Sequence, residues 1–148
     1  MNRIRIPLEF NKEGNRVLVT ATISFSNLFI PTIFIVDTGS SETFVDEFTL
    51  SKFRIYTKSL SFDSYVIMGG TKIALYKLGK VKLIFRDINK NPVAIDFNSL
   101  KVSETAWRRV GKIYSPVSII GLNFFLETQL ALFVNPSKME GYILDEKI

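Results

Sequence analysis

The sequence predicts an all-β domain: a small closed barrel with one short helix near its C-terminal end. Three observations carry that prediction. Alternating or β-branched apolar runs dominate the 148 residues, clusters rich in glycine, proline and asparagine separate the runs, and only Asn123 to Gln129 has persuasive helical character. No internal repeat or linker interrupts the pattern. A chain of this length can bury one sizeable core, so residues 1–148 are expected to form a single domain.

The elements follow in order. Ile4 to Phe10 and Val17 to Ile23 flank Glu13-Gly14-Asn15, which has the chemistry of a hairpin turn. Leu28 to Val36 follows as a strand whose continuous hydrophobicity predicts cover on both faces, as in the middle of a closed barrel. Thr43-Phe44-Val45 resumes the strand pattern. Tyr65 to Met68 breaks at Gly69-Gly70 and resumes from Lys72 to Phe85 with a bend at Gly79, the outline of a hairpin. Asp87 to Pro92 is a turn cluster, after which Val93 to Phe97 and Leu100 to Val102 pair back. Past Gly121 and the helix, Leu130 to Val134 and Tyr142 to Leu144 close the chain around Asn135-Pro136-Ser137.

Composition narrows the chemistry. There is no cysteine and no histidine, which removes disulfides, thiol nucleophiles, histidine-based triads and most zinc or iron sites. A hydrophobic share of 47%, with 13 Phe, is more apolar surface than a small monomer easily hides, and burial between subunits is one outlet. The formal charge of +5 raises nucleic acid as a partner, but Lys and Arg are scattered and only Arg108-Arg109 beside Trp107 looks local, so none is expected. The longest apolar stretch is Leu28 to Val36, interrupted by Pro31-Thr32 and far short of the roughly 20 residues that span a bilayer. With no export signal after Met1-Asn2-Arg3, a soluble cytoplasmic protein is expected.

One string remains to be explained. Asp37-Thr38-Gly39-Ser40 closes the apolar run Ile33-Phe34-Ile35-Val36 and occurs once. A carboxylate that leaves a buried strand directly into a glycine turn is carried to the edge of the core, where it can meet a ligand or a second carboxylate. Together with the glycine-bearing hairpin at Met68-Gly69-Gly70 and the late segment Ile119-Ile120-Gly121 before the helix, the string resembles the retropepsin-like aspartic proteases, in particular their single-domain microbial members. The resemblance covers the order of elements from about Leu28 onward.

It implies a barrel of the retropepsin type and a role for each matching residue. Asp37 is then the catalytic carboxylate, Thr38 the hydroxyl that bonds across a two-fold axis beneath the aspartates, and Gly39 the residue that keeps the turn open. Gly39 also suits this place because glycine adopts backbone angles closed to other residues and leaves room where two subunits and a substrate would converge. Ser40 is placed to orient the outer oxygen of Asp37. Ile67, Met68, Gly69, Gly70 and Thr71 become the tip and arms of a flap that covers an extended peptide and excludes water. Ile119, Ile120 and Gly121 become the segment that packs behind the active-site turn. Asn123 stands where many members of the family carry an acidic residue.

These enzymes need two such aspartates, and no other Asp here precedes Thr/Ser-Gly. The resemblance therefore implies a homodimer with the site on its two-fold axis. Two carboxylates within hydrogen-bonding distance share one proton, so one acts as general base on a water while the other acts as general acid. No metal or organic cofactor is needed, and the expected substrate is a peptide or unfolded-protein segment, mainly apolar. Two other readings fit parts of the same sequence: a non-catalytic dimer of this fold that binds peptides or acts as a scaffold, and a basic β-barrel that binds RNA or single-stranded DNA with aromatic stacking platforms.

Overall fold

The computed structural model of the chain describes residues 3–11, 13, 15–68, 70–104 and 117–145. Gly14, Gly69 and the Trp107-Arg108-Arg109 cluster lie outside the described residues. In chain order the elements are β1 (Arg5–Pro7), β2 (Glu9–Phe10), β3 (Val17–Phe25), β4 (Leu28–Val36), β5 (Phe44–Asp46), α1 (Glu47–Ser51), β6 (Ser61–Met68), β7 (Thr71–Arg86), β8 (Pro92–Ser103), β9 (Ser118–Ile120), α2 (Leu122–Thr128), β10 (Ala131–Asn135) and β11 (Glu140–Leu144). Short 3-10 turns lie at Thr57–Ser59 and Pro136–Lys138. No helix among the described residues is long and apolar enough to cross a membrane.

The larger sheet runs β2-β3-β4-β9-β5-β8-β7-β6, and β3 also pairs with β7 through Thr22↔Ile84, Ile23↔Leu83 and Ser24↔Lys82. That extra pairing closes β3, β4, β9, β5, β8 and β7 into a barrel, with β6 left outside the ring. The predicted closed barrel is what the chain forms. A smaller sheet, β1-β11-β10, is built from the two ends of the described chain.

The position of β9 decides where the functional loop goes. It lies between β4, to which it is parallel, and β5, which it meets antiparallel at Phe44↔Ile119. Consecutive strands β4 and β5 are therefore kept apart, and residues 37–43 must cross the end of β9 to join them. The register Phe34↔Ser118, Ile35↔Ile119 and Val36↔Ile120 brings that crossing directly against Gly121.

The main core holds Ile23, Ile30, Phe34, Val45, Leu83, Phe85, Phe97, Val102, Ile120 and Phe124, all nearly or fully buried. Phe124 anchors α2 within it, with ring centroids 6.0 Å from Phe85, 5.6 Å from Phe97 and 5.2 Å from Phe125. Full burial of one such side chain is worth roughly 1.5–3 kcal/mol. Glu127 adds a polar fastening, accepting from the Asn98 amide at 2.7 Å and the Ser99 hydroxyl at 2.9 Å. Helix α2 is thus fixed to β8, and its N-terminus has a defined place beside the loop 37–43.

Three expectations need correction. β4 is covered on one face only: Ile30 and Phe34 are fully buried while Phe29 and Ile33 are 62% and 65% exposed. The strand instead alternates between core and surface, with Thr32 buried between exposed Pro31 and Ile33. The first segment, Ile4 to Phe10, is not one arm of a hairpin. Only Glu9 and Phe10 pair with β3, whereas Arg5 to Pro7 pair with β11 and the Leu8 amide donates to Gly141 at 2.9 Å. Finally, a second short helix, α1, follows β5 because Asp46 caps it, its Oδ2 accepting from the Phe48 amide at 2.7 Å.

The hairpin of β6 and β7 matches the expectation more closely. Met68 pairs with Thr71, Gly70 takes a φ of +79°, and Gly79, at +95°, interrupts the β7–β8 register where the sequence predicts a bend. The Asp87 turn is also formed, with Asp87 Oδ1 accepting from the Asn89 and Asn91 amides.

Candidate active site

Asp37 is the first residue beyond β4, and its backbone is held before its side chain is considered. The Asp37 amide donates to the Ile120 carbonyl at 2.9 Å, which continues the β4–β9 ladder by one bond. The Ser40 amide returns to the Asp37 carbonyl at 3.0 Å and closes a tight turn. Within that turn the Gly39 amide donates to Asp37 Oδ1 at 2.9 Å. One carboxylate oxygen is fixed by the turn, and the residue is exposed. Such a group can accept a hydrogen bond from water or from a second carboxylic acid without any rearrangement of its own loop.

Glycine at 39 serves close approach. A Cβ there would stand 3.0 Å from Asp37 Oδ1. The backbone at Gly39 is not left-handed, so of the two expected reasons the special backbone angle does not apply, and the room that glycine leaves is used within the protomer by the Asp37 carboxylate. Ser40 also departs from expectation: its hydroxyl donates to the Glu42 carbonyl at 2.8 Å and accepts from the Glu42 amide at 3.3 Å. A hydroxyl has a single proton, and this one is committed within its own loop, so Ser40 does not orient Asp37 in the protomer. Thr38 is exposed, and its hydroxyl has no partner among the described residues.

Behind the turn, Ile119 is 5% exposed and Ile120 fully buried, and Gly121 meets the loop backbone. The Leu122 amide donates to the Ser40 carbonyl at 2.7 Å and the Asn123 amide to the Ser41 carbonyl at 3.3 Å. The start of α2 thus uses two of its free N–H groups to hold the loop. Fully buried Thr43 completes the fastening. Its hydroxyl accepts from the Gly121 amide at 3.0 Å and donates to Asn123 Oδ1 at 2.6 Å. Asn123, which the sequence left without a role, bridges Thr43 and Glu42, its Nδ2 lying 3.4 Å from Glu42 Oε2.

The hairpin supplies an apolar neighbour. Val66 and Met68 pack, with Ile35, against a small second cluster of Phe44, Leu75 and Ile119, which contains the β9 residue paired with Ile35. Met68 is therefore brought toward the strands that carry Asp37. Ile67 is not, because side chains alternate along a strand, and it is 77% exposed on the opposite face. Thr71 is half-buried opposite Met68, Gly70 is exposed, and Gly69 lies outside the described residues.

Glu42, Thr43 and Val66 are the site residues that sequence reasoning did not single out, and Asn123 was named there without a role. Thr43 had one readable signal, a small hydroxyl three residues past the turn and immediately before a buried strand. The others look like ordinary surface or strand residues until the register of β4, β9 and α2 is known. Among the described residues no cluster of three or more His, Cys, Asp or Glu is grouped to hold a metal ion.

No protein-family profile and no curated protein sequence matches the chain. Among solved structures it is similar to a retropepsin-like aspartic protease from Rickettsia conorii, with a TM-score of 0.58 and 17% identity over 97% of this chain and 92% of that one. It is also similar to conglutin gamma, a basic 7S globulin from lupine seeds, with a TM-score of 0.50 and 9% identity. There the chain covers 50% of the other protein's length. The chain has the all-β fold of a retropepsin-like aspartic protease, with short helices beside the barrel.

Proposed function

We propose that two copies of this chain form an aspartic endopeptidase in which their Asp37 carboxylates meet and activate a water for peptide-bond hydrolysis. The observation that carries this reading is the Asp37 turn. An exposed carboxylate has one oxygen fixed by the Gly39 amide, in a loop fastened at Ile120, Leu122 and Asn123. A group held this way at the protein surface is preorganised for a partner that comes from outside the protomer.

One Asp37 takes a proton from the water as general base. Its mate, carrying the shared proton, donates it to the substrate carbonyl oxygen as the water oxygen bonds to the carbonyl carbon. Collapse of the tetrahedral adduct then delivers a proton to the departing amide nitrogen. The β6–β7 hairpin would cover an extended substrate and offer backbone groups to it. The partly buried Ile35, Val66 and Met68 favour apolar side chains in that substrate. Dimerisation is supported by Leu122 and Leu126, 42% and 70% exposed and one turn apart on α2, the helix that holds the Asp37 loop.

The test compares wild type with Asp37→Asn on a peptide library from acid to neutral pH, with the association state of both measured by sedimentation. Cleavage by the wild-type dimer alone is expected. Equal cleavage by both proteins removes the mechanism, and cleavage by neither favours a peptide-binding module of the same fold.

A further inference from the structure

Lys101, near the end of β8, faces two carboxylates from different parts of the fold. Its Nζ lies 2.5 Å from Asp63 Oδ2, in the outer arm of the hairpin, and 3.3 Å from Glu42 Oε2, in the loop that carries Asp37. The Lys101 amide also donates to the Thr43 carbonyl at 3.2 Å. All three side chains are largely shielded, at 13%, 17% and 27% exposure for Lys101, Asp63 and Glu42. Solvent and salt screen such contacts less than they screen surface pairs.

We propose that Lys101 is a positioning residue that couples the β6–β7 hairpin to the Asp37 loop, so that one ammonium sets how the hairpin lies relative to that loop. Its bearing on substrate rests on the peptidase reading, whereas the coupling itself does not.

Three features give the contact this role. Asp63 sits where the β6–β7 register shifts between Phe62 and Ser64, so the ion pair holds the arm where the ladder is broken. Glu42 is tied through Asn123 and Thr43 to Gly121, so a pull on it is felt by the segment that seats Asp37. Two carboxylates contact one nitrogen, and Lys77, the other cation near Asp63, is 64% exposed and 4.0 Å away. Without Lys101 the two carboxylates repel across the gap between hairpin and loop, and the arm moves outward. The charges respond accordingly: the hydrogen bond from Lys101 holds Asp63 below the usual carboxylate range. Burial lowers the Lys101 ammonium, but the hydrogen bond to Asp63 and the charge of Glu42 outweigh it and leave it above the ordinary lysine value.

The test combines amide hydrogen exchange with cleavage kinetics on the full chain. In Lys101→Met the hairpin amides should exchange about tenfold faster while those of β10 and β11 keep wild-type rates, and Lys101→Arg should restore protection. The KM for a cleaved peptide should rise about tenfold with kcat within about threefold, because the hairpin holds substrate more than it takes part in bond breaking. Unchanged hairpin exchange and KM, or exchange accelerated alike throughout the chain, overturns the coupling. If Lys101→Met does not fold, Asp63→Asn reads the same contact, with hairpin-specific acceleration expected and none overturning it. Hairpin loosening in a protein that cleaves no peptide leaves the coupling standing and removes the peptidase reading instead.

Discussion

Gly121 lies so close to the Asp37 loop that a Cβ added to it would stand 2.2 Å from the Glu42 carbonyl oxygen and 2.7 Å from that of Ser40. Both obstacles are backbone, and both belong to the segment that α2 and β9 hold in place. Gly121→Ala therefore has no side chain to push aside. It should destabilise the fold by about 3 kcal/mol or more in urea unfolding, and abolish cleavage through displacement of the loop.

Gly39 makes the opposite case. There the added Cβ would meet the Asp37 carboxylate at 3.0 Å, a side chain that can rotate. Gly39→Ala should change stability by no more than about 1 kcal/mol yet, if the proposed mechanism holds, lower kcat/KM at least about tenfold, since it moves the Asp37 carboxylate rather than the core. Unfolding midpoints and cleavage rates on the same preparation separate the two effects.

Thr43→Val keeps the shape of a fully buried side chain and removes its hydroxyl. The Gly121 amide loses its acceptor and Asn123 Oδ1 its donor. A cost of about 2 kcal/mol is expected, and Thr43→Ser should recover most of it. The comparison is made by denaturant unfolding of the three proteins.

The barrel, the turn at Asp37, the glycine hairpin and the segment behind the turn were legible because each has a local signature: period-two alternation, Asp followed by a small residue and glycine, or an apolar run ending in glycine. The network that fixes the loop was not. Lys101 is one of 19 basic residues with nothing local to distinguish it, and only the parallel β5–β8 register, Phe44↔Lys101, brings it near Glu42. Asp46 hid in the same way, because its burial depends on β9 reaching Ser118, whose hydroxyl accepts from the Asp46 amide at 3.1 Å. The run Leu28 to Val36 misled for a different reason. Hydrophobicity reports what a surface could bury, and β4 carries apolar residues on its exposed face as well as on its core face.

Asp46 gives a pH dependence whose sign is set by burial. At 4% exposure its carboxyl is pushed up from 3.8 to about 6, chiefly by loss of water, opposed by the Phe48 amide and reinforced by the neighbouring Glu47 charge. The folded state thus holds this proton more tightly than the unfolded chain. Its stabilising contribution is complete below pH 3.8 and is lost as pH rises through about 6. The loss is on the order of 2–3 kcal/mol. Asp63 and Asp96, held low by Lys101 and Lys82, act below that window. Asp46→Asn keeps a helix cap that cannot ionise, so its unfolding free energy should be flat between pH 4 and 7, about where wild type declines. Urea titrations across that range check the slope.

Neighbouring residues on β4 should respond unequally to truncation. Ile30 and Phe34 are fully buried among Ile23, Leu83 and Phe124, so Ile30→Ala and Phe34→Ala each leave a cavity and should cost about 3–4 kcal/mol. Phe29 and Ile33 sit one position away and face outward at 62% and 65% exposure. Phe29→Ala and Ile33→Ala should cost no more than about 1 kcal/mol in a dilute, monomeric sample. Denaturant unfolding of the four variants decides the point. Comparable losses at all four positions would mean that the outer face of β4 is covered within the protomer, and would contradict the one-sided burial from which the open face was inferred.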